Sequence, residues 1–307
     1  MKIAIIGRTS NLIRSAHELV ALGHDISVVY TSRSEDYYDA KESDFRSLAE
    51  RFGAAFFNDT KINEQANVFL DHGCDIAVSI NCLNILNKPL LGAFKFGVLN
   101  AHAGDLPRYR GNACPNWAIL NGEKKIALTV HQMVEELDAG PVLLKKYMGL
   151  DDRTYIGDIY AWIEDAVPGA MAEAVEGLVT GKLTPEPQTA GPAAALRCYP
   201  RRPEDSRLDW DWPEDRIMRL IRASSRPFCG AYTSLEGNRK VTIWKAEPYK
   251  HPGPYLAMPG QVCLSDNGFP IIACGDGMIR LTDFDVEGVE TGDASKVVLS
   301  SLRNRLI

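Results

Sequence analysis

The stretch KIAIIGRTSNLIRSAHELVALGHDISVVY (residues 2–30) decides the fold. Lys2 to Ile6 is a short apolar run ended by Gly7, Asn11 to Leu22 carries apolar residues at helical spacing and stops at Gly23, and Ile26 to Tyr30 is apolar again. That is strand, turn, helix, strand. Outward from it the pattern repeats, with Ser43 to Phe52 as helix, Ala54 to Phe57 as strand, Glu64 to Asp71 as helix and Ile76 to Ile80 as strand. Such alternation predicts an α/β domain, a parallel sheet with helices on both faces. Phe96 to Asn100 and Ala127 to Met133 read as further strands, and Tyr155 to Thr180 as a long helix that closes this unit.

Gly181 to Ser206 holds Pro185, Pro187, Pro192, Pro200 and Pro203. Each proline removes a donor and biases its predecessor away from helix, so this segment reads as an extended linker. The expected division is residues 1–181, a linker over 182–205, and a small second domain over 206–307. In the latter, Pro213 to Ser224 predicts a helix with proline at its first turn. Ala231 to Leu235, Val241 to Ala246, Gln261 to Leu264, Pro270 to Cys274 and Ile279 to Phe284 predict strands, separated by turns such as Glu236-Gly237-Asn238 and Asp266-Asn267-Gly268. Short strands at this spacing suggest a small barrel or sandwich.

Composition narrows the function classes. Of 307 residues, 45% are hydrophobic and 24% charged, enough apolar material to offset ordering entropy, which excludes a disordered chain. No apolar run approaches the roughly 20 residues of a spanning helix, and the first strand starts at Met1 without a signal-peptide pattern. A cytoplasmic protein with no membrane partner is expected. The seven cysteines (Cys74, Cys82, Cys114, Cys198, Cys229, Cys263 and Cys274) are odd in number and form no CxxC pair, so they read as reduced thiols with no zinc site. With 34 basic against 40 acidic residues the net charge is −6, a poor balance for gripping a polyphosphate backbone over a wide surface.

In an open parallel sheet the ligand crevice lies at the carboxyl ends of the strands. After the first strand comes Gly7-Arg8-Thr9-Ser10, which lacks the second and third glycines of GxGxxG and so disfavours a nicotinamide or flavin site. It remains open to another polar or phosphorylated ligand. The richest segment is Asn100-Ala101-His102-Ala103-Gly104-Asp105-Leu106-Pro107-Arg108-Tyr109-Arg110-Gly111. Asn100 and His102 are two apart, so in extended backbone an amide and an imidazole face one spot. Arg108 and Arg110 add two guanidiniums suited to anions. The strand from Ala127 leads to Glu135-Glu136-Leu137-Asp138-Ala139-Gly140. A parallel neighbour would bring Asp138 beside His102, with Glu135 or Glu136 as alternative partners. Cys82 and Cys114 lie nearby without an evident base and read as packing, and His131, inside its strand, reads as a support rather than a catalyst.

These residues resemble the folate-dependent formyltransferases, whose signature is an Asn-x-His, a Leu-Pro-x-x-x-Gly loop and a downstream Leu-Asp-x-Gly turn. Here they are Asn100, His102, Leu106-Pro107-Arg108-Tyr109-Arg110-Gly111 and Leu137-Asp138-Ala139-Gly140. Beyond the linker, Tyr199-Pro200-Arg201-Arg202-Pro203-Glu204-Asp205-Ser206 and Ala273-Cys274-Gly275-Asp276-Gly277 are similar to the carboxy-terminal domain of the tRNA and sugar branches. The resemblance implies a Rossmann-like formyltransferase domain followed by an OB-like barrel. One departure stands out: many relatives read His-Gly-Ser-Leu-Leu-Pro where this chain has His102-Ala103-Gly104-Asp105-Leu106-Pro107.

The implied activity is transfer of a formyl group from 10-formyltetrahydrofolate to a primary amine, with no metal. His102 would handle the proton, either as base or as protonated oxyanion donor, Asp138 would orient its ring, and Asn100 would stabilise the oxyanion. The pterin is expected against Asn81, Cys82, Leu83 and Leu86 and against Leu137, Ala139 and Gly140. Arg8, Thr9, Ser10, Arg108, Tyr109 and Arg110 are expected to meet the acceptor. Relatives that formylate initiator tRNA carry a basic insertion after the second strand, whereas Thr31 to Glu50 here sets Arg33, Lys41 and Arg46 against Glu35, Asp36, Asp39, Glu42, Asp44 and Glu50. A nucleotide-linked amino sugar is therefore the expected partner, with initiator tRNA, hydrolysis of formyltetrahydrofolate and folate binding without turnover as alternatives. A homodimer is common among the sugar enzymes.

Overall fold

A computed structural model of the chain describes residues 1–35, 38–188, 195–235 and 239–307. Asp36, Pro192 and the turn Glu236-Gly237-Asn238 lie outside the described residues. The chain divides into two compact units, one of Met1–Cys114, Lys125–Gly149 and Ala161–Cys198, the other of Pro115–Lys124, Leu150–Tyr160 and Tyr199–Ile307.

The elements run β1 (Lys2–Gly7), α1 (Ser10–Ala21), β2 (Asp25–Thr31), α2 (Glu42–Phe52), β3 (Ala55–Asn58), α3 (Ala66–Asp71), β4 (Ile76–Ile80), α4 (Lys88–Leu91), β5 (Val98–His102), β6 (Arg110–Gly111), α5 (Cys114–Leu120), β7 (Lys125–Gln132), β8 (Val142–Gly149), α6 (Ile156–Val179) and β9 (Arg197–Cys198). Seven strands form one sheet in the order β3-β2-β1-β4-β5-β7-β8. β1 is buried from Ile3 to Gly7, as a central strand covered on both faces must be, and α1 lays Leu12, Ala16 and Leu19 inward. Gly7, at φ 149°, runs so close to β4 that a Cβ would lie 1.9 Å from the Ile80 carbonyl oxygen. Only glycine fits there.

From β3 through β5 the neighbours are parallel, as the alternation predicts. The expectation fails at β7, which pairs antiparallel with β5, and β8 pairs antiparallel with β7. Asp138 thus belongs to a hairpin loop rather than to the end of a parallel strand. Residues 142–149 carry no clear strand signature in the sequence, because β8 is a half-exposed edge strand whose apolar run is broken by Lys145 and Lys146. The expected linker is also more structured than its prolines suggest. Glu186 and Val142 exchange backbone hydrogen bonds of 2.8 Å each, and β9 pairs with β6.

The second unit contains α7 (Glu214–Ser224) and a five-stranded antiparallel sheet of β10 (Ala231–Leu235), β11 (Arg239–Pro248), β12 (Val262–Asp266), β13 (Phe269–Ala273) and β14 (Met278–Val286), with α8 (Ala294–Val298) following. The strand order is β10-β11-β14-β13-β12. Ile217 and Ile221 of α7 pack with Val241, Ile243, Ile279 and Leu281 in its core. The edge strands β10 and β12 do not pair with one another. Ile307 exchanges backbone bonds with Ser234 at 2.9 and 2.8 Å, Val262 donates to the Asn304 carbonyl at 3.1 Å, and Leu306 donates to the Gly260 carbonyl at 2.8 Å, so residues 304–307 reach both edges.

Candidate active site

β5 extends through His102, so Asn100 and His102 are strand residues that project to one side of the sheet. Antiparallel pairing sets His131 of β7 opposite Asn100 and Thr129 opposite His102. The loop 133–141 then folds back, and Gly140 permits the return, because a Cβ there would meet the Gln132 carbonyl oxygen at 1.8 Å.

Asp138 and His102 come together. Nδ1 of His102 lies 3.6 Å from Oδ2 of Asp138, with both side chains about a tenth exposed. The same carboxylate accepts the Gly111 amide at 2.8 Å, and its other oxygen lies 3.8 Å from Nε2 of His131. The alternative partners face elsewhere: Glu135 and Glu136 are exposed, and Glu136 pairs with Arg110 at 3.3 Å. Asp138 holds φ at 52°, a left-handed conformation uncommon outside glycine.

The opposite edge of the His102 ring is engaged too. Nε2 lies 2.6 Å from the Tyr109 carbonyl oxygen, and since a carbonyl only accepts, Nε2 donates. Any proton transfer through Nε2 requires trading that carbonyl for the reacting group. Gly104 makes the arrangement sterically feasible: a Cβ at that position would fall 2.3 Å from the Tyr109 oxygen and 2.6 Å from Nε2. Asp105, the other departure from the common loop sequence, pairs with Lys145 at 2.7 Å and accepts from the Tyr147 hydroxyl at 3.3 Å, fixing the loop to β8.

His131 orients Asn100. Its Nδ1 donates to the Gln132 carbonyl at 2.9 Å, which leaves Nε2 as the acceptor for Nδ2 of Asn100 at 3.2 Å. Burial, reinforced by the facing His102, holds the His131 pKa down to about 4, so the ring is neutral near pH 7. Among the described residues nothing accepts the second amide hydrogen of Asn100, which can therefore meet an incoming oxygen. The Cys114 thiol donates to the Tyr109 carbonyl at 3.0 Å, and its hydrogen bond to Cys198, together with burial, pushes its pKa far up, the opposite of a nucleophile.

Asn81 (φ 53°) opens the loop after β4, where Cys82 is half-buried and Leu83 and Ile85 are 51% and 61% exposed, while Leu86 is buried in the core. Leu137 and Ala139 are half-buried on the Asp138 turn. An exposed apolar rim beside polar backbone suits a flat heteroaromatic ring. The turn after β1 differs. Arg8 is 7% exposed, donates to the carbonyls of Asn81 at 3.0 Å and Arg33 at 3.2 Å, and lies 3.6 Å from Glu35. Thr9 donates to Asn11 at 2.6 Å, and Ser10 to Glu164 at 3.4 Å. Arg108 is exposed and stacks over the Tyr109 ring at 5.3 Å, and Arg110 is half-buried.

An imidazole, an amide with a hydrogen to give and a carboxylate thus converge at the end of β5, side-chain types able to move a proton, donate to an oxyanion and hold a ring in place. Residues 1–175 match the formyl transferase family and residues 201–300 its C-terminal domain, so the chain belongs to that family. It is a folate-dependent N-formyltransferase that uses a formyltetrahydrofolate donor. A methionyl-tRNA formyltransferase of Geobacillus sp. (strain WCH70) is 29% identical over 302 residues, 96% of this chain and 93% of that one. The N-formyltransferase from Helicobacter canadensis, solved with folinic acid and dTDP-3-aminofucose, superposes with a TM-score of 0.65 at 14% identity, covering 92% of this chain and 99% of that one. HypX from Aquifex aeolicus gives a TM-score of 0.64 at 20% identity over 98% of this chain, which spans about half (48%) of HypX. Among the described residues no group of three or more His, Cys, Asp and Glu could hold a metal ion, and no helix is long and apolar enough to cross a membrane.

Proposed function

We propose that this chain formylates the primary amine of a nucleotide-linked amino sugar. The amine nitrogen attacks the formyl carbon of 10-formyltetrahydrofolate, giving a tetrahedral adduct. Asn100, held by His131, donates its remaining amide hydrogen to the oxyanion, a contribution of about 3 kcal/mol for a single donor of this kind. His102 carries the amine proton to N10 of the folate as the carbon–N10 bond breaks, and Asp138 keeps the ring in place. Tetrahydrofolate and a formamide leave. The pterin rests on the 81–86 loop and the Leu137–Gly140 turn, and Arg108 and Arg110 face the acceptor, whereas Tyr109, 4% exposed, is core rather than the acceptor contact its place in the sequence suggests. In this reading the C-terminal sheet, with residues 304–307 between its edges, serves as the OB-like domain of a cytoplasmic enzyme.

One observation carries the choice of acceptor. The segment after β2 is acidic, with Glu35, Asp39, Asp44 and Glu50 exposed. Asp44 accepts the Lys41 amide at 2.7 Å at the start of α2, and Glu42 accepts the Ser34 amide at 2.7 Å, so some of these carboxylates also build the fold. The acidic surface opposes a polyanion the size of tRNA and leaves a nucleoside diphosphate admissible. A second reading, formylation of initiator tRNA, is favoured by the 29% identity to the Geobacillus enzyme over nearly the whole chain. Purified protein is incubated with 10-formyltetrahydrofolate and either a panel of nucleotide-linked amino sugars, dTDP-3-aminofucose among them, or charged initiator tRNA. Formyl transfer to a sugar supports the proposal. Transfer to tRNA alone reverses it, and formate release without an acceptor marks a hydrolase.

A further inference from the structure

Gln188 lies just past the pairing of Glu186 with Val142, and its side-chain amide joins two segments of the site. Nε2 donates to the carbonyl oxygens of Asp138 at 2.9 Å and Gly140 at 2.7 Å. Oε1 accepts from Nε of Arg110 at 3.2 Å and Nη2 at 2.7 Å. Both hydrogens and both lone pairs are used, which fixes the amide in one orientation. Asp138 needs such a restraint, since a non-glycine residue at φ 52° persists only where its surroundings over-determine it. Gly111, next to Arg110, holds the carboxylate end of the same residue. Gln188 and Gly111 therefore grip Asp138 from its backbone and from its side chain.

We propose that Gln188 is a positioning residue for formyl transfer. It locks the Asp138–Gly140 turn to Arg110 so that the Asp138 carboxylate stays on His102, and it touches neither the donor nor the acceptor. The inference rests on the reading of Asp138 and His102 as residues of the reacting centre.

The test uses the full chain with saturating 10-formyltetrahydrofolate and dTDP-3-aminofucose or charged initiator tRNA, whichever the wild type formylates. Gln188→Met is expected to lower kcat roughly ten- to a hundredfold, the scale of a small misplacement of a reacting group. Gln188→Glu keeps the Arg110 partner but cannot donate to the two carbonyls, and it is expected to do no better. Because the effect passes through Asp138, adding Gln188→Met to Asp138→Asn should change kcat by less than about twofold, whereas a general loosening of the fold would cost both backgrounds alike. Wild-type kcat in Gln188→Met, rescue by Gln188→Glu, an additive loss in the double variant, or a wild type inert with both acceptors overturns the inference. Full activity in Asp138→Asn alone instead removes the underlying reading of Asp138.

Discussion

The turn after β1 and the end of β5 occupy equivalent places at the carboxyl ends of parallel strands in one sheet, with only β4 between them. Polar residues fill both, yet they are spent differently. At the first, Arg8, Thr9 and Ser10 each bond to neighbouring residues, and Glu164 of α6 comes to the head of α1, its pKa raised by burial and its carboxylate accepting from the Asn11 side-chain amide at 3.2 Å. At the second, Asn100 keeps a donor in reserve, and the Asp138 carboxylate stands beside His102 while the neutral His131 accepts from Asn100. Position in a crevice is thus not sufficient for a site; unspent hydrogen-bonding capacity is also needed.

The contrast breaks most visibly if His102→Ala keeps its activity. The expected fall in kcat is about 100- to 10,000-fold with an unchanged circular dichroism spectrum. Asn100→Ala should cost about 100- to 1,000-fold in kcat, measured in the same transfer assay. Gly104→Ser, which restores the serine common among relatives, forces the His102–Tyr109 contact apart and should lower kcat by roughly tenfold or more; unaltered kinetics would mean that contact is dispensable. His131 sharpens the comparison through pH. Its folded pKa of about 4 lies below the free value of 6.5, so between those values the unfolded chain holds a proton the folded one lacks. Stability falls as pH drops through that window and is unaffected above it. Urea midpoints of His131→Gln should show this pH slope reduced by one proton. Ser10→Ala, on the spent turn, should leave kcat within about twofold of wild type.

Much of this was legible in the sequence. The parallel half of the sheet followed from glycine-terminated apolar runs alternating with amphipathic helices, and Asn100-x-His102 announced a common face by the period of two. The direction of β7 did not, because strand polarity depends on how residues 103–124 return the chain, and no local pattern encodes that. β8 was hidden by Lys145 and Lys146, whose charges suit an exposed edge. Gln188 carried no signal at all. Its partners, Arg110, Asp138 and Gly140, lie 48 to 78 residues away, and a lone glutamine among prolines reads as solvated chain. The clash that makes Gly104 necessary likewise exists only once Tyr109 has folded back over His102.

Glu164 has a consequence for the divergence of such folds. A resident carboxylate beside the first turn of α1 acts as a built-in rival to any phosphate arriving there, through like-charge repulsion and through the donors it already occupies. A lineage moving from one-carbon chemistry toward a dinucleotide coenzyme would have to lose this acid before new glycines in the preceding turn could confer any advantage.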